Sequence, residues 1–168
     1  SPRSRAHMSH IISRIPISAA ERVHAWTMAE YVVTTLVAAP PEHVFDMWTD
    51  LDRFHEWIGG VTRVTDRIGS LDEAGARYTV WFGGMASPTT VIEVERPHHI
   101  RTRFGNLILK GESDARFTPE GDGTRIVQVI RTRGLVSAVF GRIFATGSYE
   151  GSFRGELERF RVLVETGR

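Results

Sequence analysis

The chain has 168 residues, 41% of them hydrophobic and 24% charged, with 21 Lys and Arg against 20 Asp and Glu, and no cysteine. That length suits a single domain with a substantial core. A net charge of +1 supplies no global field for nucleic acid or an anionic membrane, and without cysteine there is no disulfide, thiolate nucleophile or thiolate metal site.

Residues 1–29 read as an N-terminal arm, in part a tag, with residues 1–10 resembling a vector scar that ends near Met8. Within the arm, Ile12, Ile15 and Ile17 alternate loosely around Pro16, and Ser18 with Glu21 has capping-box spacing for a short helix to Trp26. Residues 30–39, EYVVTTLVAA, are β-branched and apolar on both faces, the pattern of a strand covered on both sides. Pro40 and Pro41 end it; Pro41 suits the first turn of a helix and Glu42 its positive end. Val44, Met47, Trp48 and Leu51 share one face of that helix. A second short helix, capped by Asp50 or Asp52, presents Leu51, Phe54, Trp57 and Ile58 before Gly59 and Gly60 stop it.

Six strands are expected next, at about 61–68, 76–83, 88–95, 100–105, 109–118 and 124–133, separated by Gly-, Asn- and Pro-rich turns. Short strands joined by short turns make an antiparallel meander. From Gly134 the period becomes helical: Val136, Val139, Phe140, Ile143 and Phe144 form one stripe, continued by Phe153, Leu157, Phe160 and Val164. Gly147, Gly151 and Gly155 lie between the stripes; a glycine costs about 1 kcal/mol inside a helix, so three at this spacing suggest close packing on the sheet or a bend that serves as a hinge. No run approaches the roughly 20 apolar residues that span a bilayer, and a cytoplasmic protein is expected.

Several stretches resemble, in order, the START-like or SRPBCC helix-grip superfamily, especially its polyketide cyclase/dehydrase and lipid-transport branch. They are APPEHVFDMWTDLDRFHEW at 39–57, GARYTVWF from Gly75, VIEVERP at 91–97, ARFTPEGDGTRIVQV at 115–129 and GELERFRVLVE at 155–165. The resemblance implies an α+β helix-grip fold over residues 30–166. A seven-stranded curved antiparallel sheet would surround a long C-terminal helix, with two short helices after the first strand. It also implies a cavity for an apolar small molecule. The superfamily includes aromatases, lipid and hormone binders and chaperone co-activators, so it implies no particular reaction.

Alternation then assigns the walls. Lys110, Glu112, Asp114 and Arg116 should face water, with Gly111, Ser113, Ala115 and Phe117 inward; opposite them Ile126, Gln128, Ile130 and Thr132 should point in. Gln128 then needs either a side-chain partner or a ligand oxygen. Tyr78 and Phe82 are taken as the inner face of their strand, with Ile92 and Phe104 alongside, Trp57 near the mouth, and Phe140, Phe144 and Tyr149 hanging from the closing helix. Apolar walls with few polar groups are what small-molecule sites look like.

Hydrolytic, metal and nucleotide motifs fail. His55-Glu56 begins an HExxH pattern, but residue 59 is Gly; His98 and His99 are adjacent and point apart; there is no GxSxG, Walker A or GxGxxG motif. No metal or cofactor is therefore expected. His55 and Tyr78 are the candidate acid/base residues, and Arg101, Arg103, Arg131 and Arg133 face either solvent or, if inward, a carboxylate or enolate. Three functions compete: a carrier or sensor of an apolar or aromatic molecule, a polyketide cyclase or aromatase using the same cavity, and an interaction module using the 135–144 stripe. No nucleic-acid partner is expected, and the oligomeric state is left open, a homodimer included.

Overall fold

The computed structural model describes residues 28–106, 110–133 and 149–167. The arm before Met28, the 135–144 stripe, Phe140, Phe144 and Gly147 lie outside the described residues, and of Tyr149 only the backbone is described.

The chain begins with β1 (Met28–Val37) and then turns through an elbow. The elbow consists of α1 (Pro41–Thr49), a 3-10 turn (Leu51–Arg53) and α2 (Phe54–Trp57). Six strands follow: β2 (Val61–Ile68), β3 (Arg77–Phe82), β4 (Met85–Glu95), β5 (His99–Gly105), β6 (Lys110–Glu120) and β7 (Gly123–Arg133). The closing helix α3 spans Tyr149–Thr166. The strands form one antiparallel sheet in the order β1-β7-β6-β5-β4-β3-β2. Strands β2 to β7 are thus a meander, and the elbow carries the chain from one edge of the sheet to the other. Asp50 caps the middle of the elbow, its side chain accepting from Asp52 N–H at 3.1 Å.

Curvature comes from irregularities in two strands. The register of β2 shifts between Val61 and Arg63 and again between Thr65 and Ile68, with Asp66 at φ 53°; that of β4 shifts between Val91 and Glu93. Bulges bend a strand and increase its twist. The bent sheet grips α3, which buries Leu157, Phe160, Leu163 and Val164 and packs on β1 and the elbow. A single buried side chain of this kind contributes about 1.5–3 kcal/mol. Beneath the elbow the rings of Trp48, Trp57 and Phe160 stand 4.8–4.9 Å apart, with Phe117 at 5.4 Å from Trp48 and Phe45 at 5.8 Å from Phe117.

Two expectations are corrected. Strand β1 is an edge strand and is covered on one face: Val33 and Val37 are buried, whereas Val32 and Leu36 on the other face are 54% and 43% exposed. Among the described residues, Gly155 has no close neighbour in the sheet either, and a Cβ there would meet only the Arg159 guanidinium, at 3.7 Å.

Candidate functional site

Cross-strand register sets the inner wall out in rows. Towards the elbow, Val33, Gln128, Ala115 and Ile100 face one another across β1, β7, β6 and β5, beside the pair Ile126 and Phe117. The next row is Tyr31, Ile130, Ser113, Thr102 and Val91, and beyond it come Thr132, Gly111, Phe104, Thr89 and Tyr78. Burial changes along these rows. Ala115, Ile100, Ile126 and Phe117 are no more than 3% exposed, sealed under the elbow and α3. Tyr31, Thr102, Phe104, Ser113, Gln128 and Thr132, on the same face of four adjacent strands, are only half-buried. Small and polar side chains, Ser113, Thr102 and Thr132, thus stand around Phe104 in the middle of the wall.

The candidate residues divide accordingly. Ser113, Gln128 and Phe104 line the half-buried stretch, with Ile130 and Ala115 buried beside them. Gln128 Nε2 donates to Ser113 Oγ at 3.0 Å, so the amide finds its partner in a neighbouring side chain. Phe104 lies across Gly111, where a Cβ would come within 2.5 Å of its ring. Trp57 belongs to the packed aromatic cluster and not to this stretch, and its buried indole Nε1 has no partner among the described residues. Tyr78 is buried against Phe54, ring centroids 5.9 Å apart, and Phe82 is half-buried against the core.

Ile92 is displaced from its expected place. It is the extra residue of the β4 bulge, between Val91, which is fully buried in phase with Ser87 and Thr89, and Val94, where the inward phase resumes, and it is itself half-buried. His55 is exposed on α2, whose inner side is occupied by Phe54 and Trp57, so the fold does not bring it to Tyr78. Burial alone pushes the Tyr78 phenol upward, which leaves it a neutral hydrogen-bond donor near pH 7. The elbow carboxylates are engaged in pairs: Asp46 with Arg96 at 2.7 Å, Asp52 with Arg67 at 2.5 Å and Glu56 with Arg53 at 2.8 Å.

The arginine ladder is on the outer face. Arg101 pairs with Glu93 at 3.3 Å, Arg103 with Glu112 at 3.0 Å and Arg131 with Glu30 at 2.7 Å, and Arg133 is exposed. These arginines therefore do not line the interior. His99 is buried on that same outer face, its Nε2 2.9 Å from Asp114 Oδ1, while His98 is exposed. Thr132 stands on the inner face as expected, whereas Thr89 and Thr102 were not singled out from the sequence, although each alternates in phase with a candidate residue on its own or the paired strand.

A family model for polyketide cyclase / dehydrase and lipid transport matches residues 28–165. The chain belongs to this family. No curated protein sequence matches it. Among solved structures, a protein of unknown function, SA2116 from Staphylococcus aureus, is similar with a TM-score of 0.65 at 12% identity, over 85% of this chain and 97% of that one. Protein MLL2253 from Mesorhizobium loti is similar with a TM-score of 0.64 at 16% identity, over 83% and 99%. DynU16, a putative protein in the dynemicin biosynthetic locus, has a TM-score of 0.60 at 19% identity, over 83% of this chain and 48% of that one. At these identities the likenesses show the shared helix-grip fold.

For a member of the polyketide cyclase / dehydrase and lipid-transport family, the inner wall is the place to look for ligand chemistry. Its titratable side chains among the described residues are the phenols of Tyr31 and Tyr78. The remaining polar atoms are hydroxyls and one amide, which can orient a ligand oxygen but carry no charge. No helix among the described residues is long and apolar enough to cross a membrane.

Proposed function

We propose that this protein encloses an apolar or aromatic small molecule, lipid- or polyketide-like, between the inner wall and α3, as a carrier or sensor. One observation carries the reading. The inner face of β1, β7, β6 and β5 is packed under the elbow at Val33, Ala115, Ile100, Ile126 and Phe117, and beyond them half-buried small and polar residues, Ser113, Thr102 and Thr132, stand around Phe104 beside buried Ile130 and Gly111. The family's description, which includes lipid transport, supports the same reading.

The test is a thermal-shift panel of fatty acids, flavonoids and polyketide mimics on the wild type and on Ser113→Phe, which fills the middle of the wall. A ligand at roughly a hundred times its Kd adds about 2.7 kcal/mol, enough to raise the Tm of a domain this size by roughly 5–10 °C. The shift is expected in the wild type and lost in S113F. A panel that moves neither protein counts against an enclosed site, and a shift retained in S113F moves the site elsewhere.

A ring-closing enzyme using the same cavity is the second reading, favoured by the Tyr78 phenol in the wall. It requires turnover of a ketide that falls in Tyr78→Phe while the protein stays folded. Binding with unchanged turnover in that variant removes Tyr78 from the chemistry.

A further inference from the structure

The sheet ends in β1 on one side and β2 on the other, and the two edges are built differently. Strand β2 breaks register twice, turns through Asp66 at φ 53° and carries Arg63, Asp66 and Arg67. Bulges and charges of this kind keep a free edge from pairing with another chain. Strand β1 has no such guard. Its register with β7 runs unbroken from Met28 to Val37, it contains no proline or lysine, and its single charge, Glu30, is held by Arg131 at 2.7 Å. Among the described residues no strand pairs with its other edge, so alternate N–H and C=O groups of β1 point away from the sheet.

The side chains beside this edge are apolar as well. On the outer face Val32 is 54% exposed and Leu36 43%, and Val129 and Val127 stand half-buried on β7, paired with Val32 and Thr34. The Glu30–Arg131 ion pair closes one end of this patch and the Arg125–Glu120 pair the other. An apolar centre with a charged rim is the make-up of an interface. The order of residues along the strand is also self-complementary. Two copies of β1 laid antiparallel about Thr34 set Val32 of each against Leu36 of the other. Glu30 of each then meets exposed Ala38 of the other, so no like charges are brought together.

We propose that β1 is a homodimer interface. A second copy of this chain adds its own β1 edge to edge, about a two-fold axis at Thr34, and makes one sheet continuous across both molecules. The stretch of chain that leads into β1 is the other occupant to weigh. From Arg22 to Ala29 it has no Gly, Pro, Asn, Asp or Ser for the tight turn that a return along the strand requires, so the sequence favours the second copy. The pairing does not depend on what the grip encloses.

Sedimentation velocity of the full chain over a concentration series is the test. The wild type is expected to pass from monomer to dimer in the micromolar range. Val32→Lys and Leu36→Glu each set a charge against an apolar side chain of the other copy and should weaken dimerisation about tenfold or more. The V32K/L36E double variant brings opposite charges face to face and should recover most of that loss. Both positions are exposed in the monomer, so these variants are expected to fold. A second measurement does not rely on them. The chain has no cysteine, so Thr34→Cys supplies a single thiol at the two-fold axis, and mild oxidation should link it into a dimer. Ile68→Cys, at a position 55% exposed on the guarded edge, should link far more slowly. A wild type still monomeric at millimolar concentration overturns the proposal, and β1 amides protected from exchange in that monomer would show that the chain's own N-terminal stretch covers the edge. A dimer indifferent to V32K and L36E, a double variant no stronger than the single ones, or equal linking at the two thiols also overturns it.

Discussion

A methyl group added at residue 111 has nowhere to go. The Cβ would stand 2.6 Å from the Arg131 carbonyl, fixed by the sheet, and 2.5 Å from the Phe104 ring. Gly111→Ala is expected to lose about 1–3 kcal/mol as β6 shifts to make room. Gly155 is the opposite case: it sits inside α3 with, among the described residues, only the tip of the Arg159 side chain within 4 Å. Gly155→Ala should gain about 1 kcal/mol by restoring helix propensity. Urea unfolding of the two variants checks both, and a G155A variant less stable than wild type would show that residue 155 has a packing role. In the sequence these glycines are alike, because what distinguishes them is the distance to another strand. Ile92 shows the same limit. Alternation from Thr89, the partner of Tyr78, keeps Val91 inward, and the extra residue Ile92 then shifts the inward phase to Val94. Where alternation runs uninterrupted, as in Gly111, Ser113, Ala115 and Phe117, the inner face is readable from the sequence alone.

The elements divide between those that local chemistry specifies and those that need partners. The turns at Gly83 and at Gly121, with φ of 61° and 59°, are written into the chain, and the strands they join fall within a few residues of their expected limits. The elbow was also legible, from Pro41 at its start to the Asp50 cap. The role of Phe45 was not. It is fully buried against Phe117, 72 positions away in sequence, and no periodicity within α1 points to that contact. The closing helix shows how tertiary packing outweighs local content. Phe160 has no exposed surface and touches both Trp48 and Trp57, so Phe160→Ala should cost about 3–5 kcal/mol, read as a drop in unfolding midpoint. Val162, on the same helix and 43% exposed, should be nearly neutral on truncation. Equal losses at the two positions would mean that α3 does not sit in the grip with the face described.

At the scale of the whole molecule, the elbow and the sheet make an interior of two kinds. Aromatic rings fill the end beneath the elbow, while the middle of the wall carries Ser113, Thr102 and Thr132 around Phe104. The architecture and this small-residue stretch follow from patterns visible in the chain. The outer arginine ladder does not, because alternation alone does not say which of two mixed faces a curved sheet turns inward. The hydrogen bond from Gly59 to Glu156 depends on the meeting of α3 and the elbow, a juxtaposition of residues 97 positions apart.

The account depends on room for an apolar guest in the grip, and xenon-pressurised crystallography measures that most directly, since xenon enters apolar voids without needing a specific chemistry. The expected result is an ordered xenon peak between the inner wall and α3, in contact with Phe104 and the Ser113 row. A grip closed by side chains, with xenon bound only outside it, would contradict the account.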